Sequence, residues 1–128
     1  MKYFDVPTHT HCQFVNITNQ VQQAVQSMGI SDGVITLFTP HTTCGLTINE
    51  NADPHVVSDM IKQLDTMVPW KQSFFEHAEG NSAAHVKASM MGCSLQVLVT
   101  CGHVSLGVWQ AIYLCEFDGP RSRRIWVR

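Results

Sequence analysis

The run Val34-Ile35-Thr36-Leu37-Phe38 restricts the fold of this chain more than any other stretch. It is too short for a helix, it opens on three β-branched residues, and Gly33 and Thr39-Pro40 bound it. Such a segment is a strand, and its nearly unbroken apolar character predicts burial on both faces. A chain of 128 residues can surround one such strand with a single core but is too short for two, so one domain over 1–128 is expected. Charged residues make up 14% of the chain, against roughly 25% in ordinary soluble proteins. Part of the surface is therefore expected to be covered by further copies.

The remaining elements follow from local signals. Tyr3 to Asn16 alternates loosely and reads as a strand or hairpin leading to a helix start at Thr18. Val21, Ala24, Val25 and Met28 recur at helical spacing, with Gly29 as the stop. Cys44 to Ile48 is a short strand. Asp53-Pro54 begins a second helix, a capping carboxylate followed by proline at the first helical position; Val57, Met60, Ile61, Leu64 and Val68 form its apolar stripe, and Pro69-Trp70 ends it. Asn81 or Ser82 caps a third helix that runs to Met91 and stops at Gly92. Strands follow at Ser94–Thr100, Val104–Leu106, Val108–Phe117 and Arg121–Val127, the third long enough to be central. The pattern predicts an α+β fold: a single compact domain with a mixed or antiparallel sheet and helices packed mainly on one face.

A net charge of −2 gives no general attraction to nucleic acid or to an anionic membrane, and neither is expected as a partner. The C-terminus differs, because Arg121, Arg123, Arg124 and Arg128 concentrate positive charge there. Five cysteines, an odd number without a C-x-x-C pair, indicate neither a disulfide framework nor a cysteine zinc site and fit a reducing, cytoplasmic setting. Met1-Lys2-Tyr3-Phe4-Asp5 lacks the apolar core of a signal peptide, and no apolar run reaches membrane-spanning length.

The chemistry concentrates in His77-Ala78-Glu79-Gly80-Asn81-Ser82-Ala83-Ala84-His85. A glycine-containing loop can fold back on the helix that follows and turn His77 towards His85. With His41, these rings could form a three-nitrogen metal site with an open position, as a catalytic zinc uses; the competing reading is that the histidines bind an oxyanion directly. Glu79 is the nearest acid or base. His77 and Asn51, the latter from the polar segment Asn49-Glu50-Asn51-Ala52-Asp53, are further catalytic candidates. Glu50, Asp53, Glu116 and Asp118 offer the hard oxygen ligands magnesium prefers, although Asp53 also reads as a cap and Asp118 as a turn residue.

Arg121 and Arg123, two apart on a strand, can direct two guanidinium forks at one phosphate, or can simply guard an exposed edge. Lys87, in the first turns of the third helix, and Thr42, beside His41, are candidates for the same phosphate. Trp109-Gln110 could stack on and hydrogen-bond a flat ring, although a tryptophan in an apolar strand is more often core. Cys44 lies three residues from His41, but its apolar surroundings favour an inert buried thiol over a nucleophile.

These segments together resemble the YjbQ-like family, also described as the secondary thiamine-phosphate synthase family. The resemblance lies in Pro40-His41-Thr42-Thr43, in Thr47-Ile48-Asn49-Glu50-Asn51-Ala52-Asp53-Pro54, in His77 through Lys87, and in Gly107-x-Trp109-Gln110 through Glu116-Phe117-Asp118-Gly119-Pro120-Arg121. It spans nearly the whole chain. Cys44 departs from it, standing where a small residue such as alanine is expected. The resemblance implies a compact α+β subunit assembling as a homotrimer, and a weak thiamine-phosphate synthase activity that joins a pyrimidine methyl diphosphate to a thiazole phosphate and releases pyrophosphate. The expectation is thus a metal-assisted transferase or hydrolase acting on a small phosphorylated heterocycle, with zinc or magnesium as cofactor. The alternative is a non-catalytic trimeric module that binds a metal or a small ligand.

Overall fold

Alternation along Gln110–Glu116, strand β7, sends successive side chains into two different cores. Ile112 and Leu114 enter one, while Ala111, Tyr113 and Cys115 enter the other. The computed structural model describes residues 1–128, with β1 at Lys2–Pro7, β2 at Gln13–Asn16, α1 at Thr18–Met28, β3 at Gly33–Phe38, β4 at Cys44–Glu50 and α2 at Pro54–Met67. The chain continues through α3 at Ser82–Met91, β5 at Ser94–Thr100, β6 at His103–Val104, β7, and β8 at Ser122–Val127.

The strands form two sheets, ordered β1-β8-β3-β5-β6 and β2-β7-β4, and every pairing is antiparallel. Between the sheets lies the main core, where Ile35 and Leu37 of β3, Val97 and Val99 of β5, and Ile125 and Val127 of β8 meet Leu46, Ile112 and Leu114. Val21 and Val25 of α1 join it. Fully burying side chains of this size contributes roughly 1.5–3 kcal/mol each. On the other side of β7, Leu64 of α2 and Ala84 and Ala88 of α3 build the second core with Tyr113 and Phe117.

The fold class agrees with the sequence, with three corrections. There are two antiparallel sheets rather than one. Of the strand or hairpin expected over Tyr3–Asn16, strands form but no hairpin does, because β1 pairs with β8 and β2 with β7. Two-sided burial belongs to β7 rather than β3: Val34 and Thr36 stay exposed because no other layer of the chain covers the outer face of the larger sheet.

Two helix boundaries show how local residues position the rest. Asp53 Oδ1 accepts from the His55 N–H at 2.9 Å, so α2 begins where the Asp-Pro pair placed it. Helix α3 lies against β4 because position 45 has no side chain: a Cβ there would stand 2.6 Å from Met91 Cβ and 2.9 Å from the Gly92 carbonyl. Any larger residue would push α3 off the sheet.

Candidate functional site

At the end of the smaller sheet where Cys44 pairs with Glu116, the two sheets are joined by polar groups rather than hydrocarbon. The Glu116 carboxylate is fully buried; it accepts from Thr8 Oγ1 at 2.7 Å, from Arg123 Nε at 2.8 Å, and from the Phe117 and Asp118 N–H groups at 3.1 Å. Burial alone would raise this carboxyl, but the hydrogen bonds from Arg123 and Thr8 outweigh it and hold it below the usual range. Arg123 Nη2 pairs with the same carboxylate and donates to Thr43 Oγ1 at 2.8 Å. Both members of the buried Glu116–Arg123 pair therefore have hydrogen-bond partners beyond each other, which is the condition for burying a charge there.

The turn that Glu116 pins carries Asp118. Its Oδ2 accepts from Asn81 Nδ2 and from Arg121 Nη2, each at 2.9 Å, and its carbonyl accepts from Arg121 Nε at 2.8 Å. Burial pushes the Asp118 carboxyl up, but the Asn81 and Arg121 hydrogen bonds prevail and keep it below the ordinary value. The start of α3 is thereby tied to the β7–β8 turn. Asn81, expected as a cap, makes no side-chain capping bond, and its Oδ1 is buried without a partner.

Gly80, at φ 72°, donates its N–H to the His77 carbonyl at 3.0 Å and closes the loop back onto α3. The His77 and His85 rings meet edge to face, with centroids 5.5 Å apart. Across the cleft, His41 Nε2 accepts the Arg124 backbone N–H at 2.9 Å. A neutral imidazole whose Nε2 accepts carries its proton on Nδ1, so His41 presents a donor with its other nitrogen. Burial, and then the nearby Arg123 charge, lower its pKa and favour that neutral form. These groups enclose a cleft of about 450 Å³ lined by polar side chains and Pro40, with Thr42, Glu79, Asn81, Asp118 and Arg121 completing the wall.

Of the residues singled out in the sequence, His41, Thr42, His77, Glu79, His85, Arg121 and Arg123 line this one cleft. Arg123 does so as a buried strut whose Nε and Nη2 donate to Glu116 and Thr43, so the expected twin fork reduces to Arg121, whose side chain is 50% exposed. Lys87 is elsewhere. Its side chain is 2% exposed, with the ammonium paired with Asp65 of α2 and 5.9 Å from the centroid of the Phe117 ring, because that face of α3 turns into the second core.

Asn51, Trp109 and Gln110 are also elsewhere. They sit beyond the Glu50–Gln110 end of the β4–β7 ladder, about 20 Å from the Cys44–Glu116 end at roughly 3.3 Å per residue. There Asn51 Oδ1 accepts from the Tyr113 hydroxyl, the Trp109 carbonyl accepts the Asn51 N–H, and Gln110 Oε1 accepts the Gly107 N–H. The four carboxylates considered for magnesium are divided in the same way: Glu116 and Asp118 are engaged at the cleft, Asp53 caps α2, and Glu50 lies at the far end. Thr43 and Asn81 belong to the site and were not among the candidates for ligand or catalytic roles, while Asp118, considered only as a magnesium ligand or a turn residue, serves as an anchor for Asn81 and Arg121. Their involvement depends on contacts between distant segments. Cys44 is buried with Sγ 3.3 Å from Thr39 Oγ1, and burial pushes its thiol pKa up, as expected for an inert residue.

As a metal site the cleft is partly built. No three His, Cys, Asp or Glu side chains converge closely enough to hold an ion. The opposed His77 and His85 rings, with Glu79 in the same cleft, supply part of a donor set, whereas His41 has one ring nitrogen engaged by the Arg124 amide.

Fold and cleft together define a two-sheet α+β protein with a histidine-lined polar cleft at one end of its sheets. The chain belongs to the family described as UPF0047 protein YjbQ-like, whose model matches residues 2–128. It is 44% identical over 128 residues to the UPF0047 protein YugU of Bacillus subtilis, covering 100% of this chain and 97% of that one. It is 42% identical over 125 residues to the UPF0047 protein MJ1081 of Methanocaldococcus jannaschii, covering 98% and 90%. An uncharacterized conserved YjbQ/UPF0047 protein from Clostridium acetobutylicum superposes with a TM-score of 0.96 at 48% identity, covering 100% of this chain and 98% of that one. A conserved hypothetical protein from Thermus thermophilus gives a TM-score of 0.94 at 44% identity, with the same coverage. No helix is long and apolar enough to cross a membrane.

Proposed function

We propose that the cleft binds a small phosphorylated substrate and that the protein is a transferase or hydrolase acting on it with a divalent metal, zinc or magnesium. The observation that carries this reading is the convergence of His41, His77, His85, Glu79 and Arg121, from separated segments, on one polar cleft. Arg121, anchored by Asp118, directs its remaining N–H groups at the phosphoryl oxygens, and Thr42 and the Nδ1–H of His41 add neutral donors. In hydrolysis Glu79 takes a proton from the attacking water and returns it to the leaving oxygen; in joining two rings the attacking ring nitrogen carries no proton and this step is not needed. His77 and His85 are the residues that would hold the metal, which would supply Lewis-acid polarisation of the phosphate ester.

Resemblance to the secondary thiamine-phosphate synthase type extends the proposal to a specific reaction: joining a pyrimidine methyl diphosphate to a thiazole phosphate with release of pyrophosphate. The alternative is a non-catalytic trimeric module that binds a metal or a small ligand in the same cleft. In either case we place the cleft in a homotrimer. That part of the proposal is supported by the uncovered outer face of the larger sheet, where Val34 and Leu98 are paired neighbours 54% and 60% exposed.

The test is metal content by elemental analysis together with pyrophosphate release, measured on the unaltered protein, His77→Ala and His85→Ala. Loss of both signals in the two variants, with unchanged circular dichroism, is the expected result. Normal metal content and normal turnover in both variants would end the assignment of the metal and the chemistry to His77 and His85.

A further inference from the structure

A second recess of about 440 Å³ opens beside the cleft and shares His41, Thr42 and His85 with it. Its remaining wall is different in kind: Cys44 from β4, and Ala88, Ser89, Gly92 and Cys93 from α3 and the residues after it. His85, Ala88, Ser89 and Gly92 follow one another at helical spacing of three and four, so this is a single face of α3. We infer that this recess is a separate subsite that receives a flat, uncharged ring of the ligand whose phosphoryl group occupies the polar cleft. The inference rests on the phosphate reading of the cleft and adds to it the chemistry of the other half of the molecule.

Three features support that assignment. The recess walls belong to packed secondary structure, because Gly45 lets α3 lie directly on β4 while the Leu46 N–H donates to the Gly92 carbonyl at 3.1 Å and the Thr39 N–H to the Cys93 carbonyl at 2.8 Å. A space held open in this way does not close when empty. Its surface offers the sulfur of Cys93, the methyl of Ala88, backbone atoms and the neutral hydroxyls of Ser89 and Thr42, with no ionised group apart from what the shared histidines bring, which suits an uncharged polarizable ring and disfavours a second anion. Its size is ample, since a cavity of about 150 Å³ already accepts benzene. His41 and His85 stand at the threshold, where the ring would join the phosphate ester.

The experiment compares inorganic phosphate and phenyl phosphate by isothermal titration calorimetry on the full chain. Phenyl phosphate is expected to bind the unaltered protein about tenfold more tightly or better, the gain from burying one ring. Ser89→Trp, which fills the recess from the helix, is expected to bring the ratio of the two affinities close to one. Cys93→Phe fills it from the other end and gives the same readout if the first variant does not fold. Equal affinities for the two probes in the unaltered protein would overturn the subsite while leaving the anion site standing. A ratio unchanged in a folded filling variant would also overturn it. Absence of phosphate binding in the unaltered protein would remove the cleft reading and the subsite together.

Discussion

Arg123 Nε and Glu116 Oε1 meet at 2.8 Å with both side chains sealed from solvent, and this pair locks the larger sheet to the smaller one directly beneath the cleft. Glu116 lies on β7 and Arg123 on β8, and both side chains face the space between the sheets. The same carboxylate holds the backbone turn that presents Asp118. A core contact and a site contact are thus made by one residue.

Removing one partner of such a pair leaves an uncompensated buried charge, at a cost of about 3–5 kcal/mol. Arg123→Met is expected to lose that much stability in urea unfolding. Arg121→Met, whose ion pair is half exposed, is expected to lose about 1 kcal/mol or less. Equal losses in the two variants would contradict a structural role for Arg123.

Acid should weaken the protein through the same groups. The Glu116 and Asp118 carboxyls are held below their ordinary values, so as pH falls the unfolded chain takes up protons first. Their contribution is complete above the unfolded value near pH ~4 and is lost as pH falls through the folded values. Urea midpoints measured from pH 7 down to pH 2 should fall steeply at the acid end, and Asp118→Asn should flatten part of that fall. An unchanged acid slope in Asp118→Asn would count against the Asn81–Asp118–Arg121 anchor.

For His41 the expectation concerns a tautomer. Nitrogen chemical shifts of its imidazole should show an unprotonated Nε2 and a protonated Nδ1 at pH 7, with a titration midpoint below the unperturbed value of about 6.5. Because the folded ring resists protonation, the stability it contributes is present above that value and is lost as pH falls. A midpoint at or above the ordinary value would place His41 differently.

What the sequence made legible is what short-range chemistry decides. Asp53-Pro54, Gly29 and Gly92 mark helix ends through groups within a few residues, and those ends fall where expected. Pairing β1 with β8 depends on contacts across more than a hundred positions, and no local alternation in Tyr3–Asn16 carries that information. Lys87 and Asn81 mislead for a related reason. A lysine early in a helix reads as an anion ligand until Asp65 of another helix claims it, and an asparagine before a helix reads as a cap until Asp118 does. The approach of His77 to His85 was readable because a glycine ahead of α3 leaves the loop free to fold back, and Gly80 at positive φ makes that turn.

Assembly makes a separate prediction. Leu98, paired with Val34 on the uncovered sheet face, is exposed in the single subunit. By sedimentation velocity at micromolar concentration the unaltered protein is expected to be a trimer and Leu98→Arg a monomer. A monomer in both cases would remove the trimer.

The most direct test of the cleft is calorimetric titration of inorganic phosphate into the unaltered protein and into the His77→Ala/His85→Ala double variant. One saturable site in the first, weakened about tenfold or more in the second while the thermal unfolding of the two stays alike, is the predicted result. Identical isotherms from the two proteins, each titrated with zinc present, would contradict the assignment of His77 and His85 to a metal that helps to bind the phosphate.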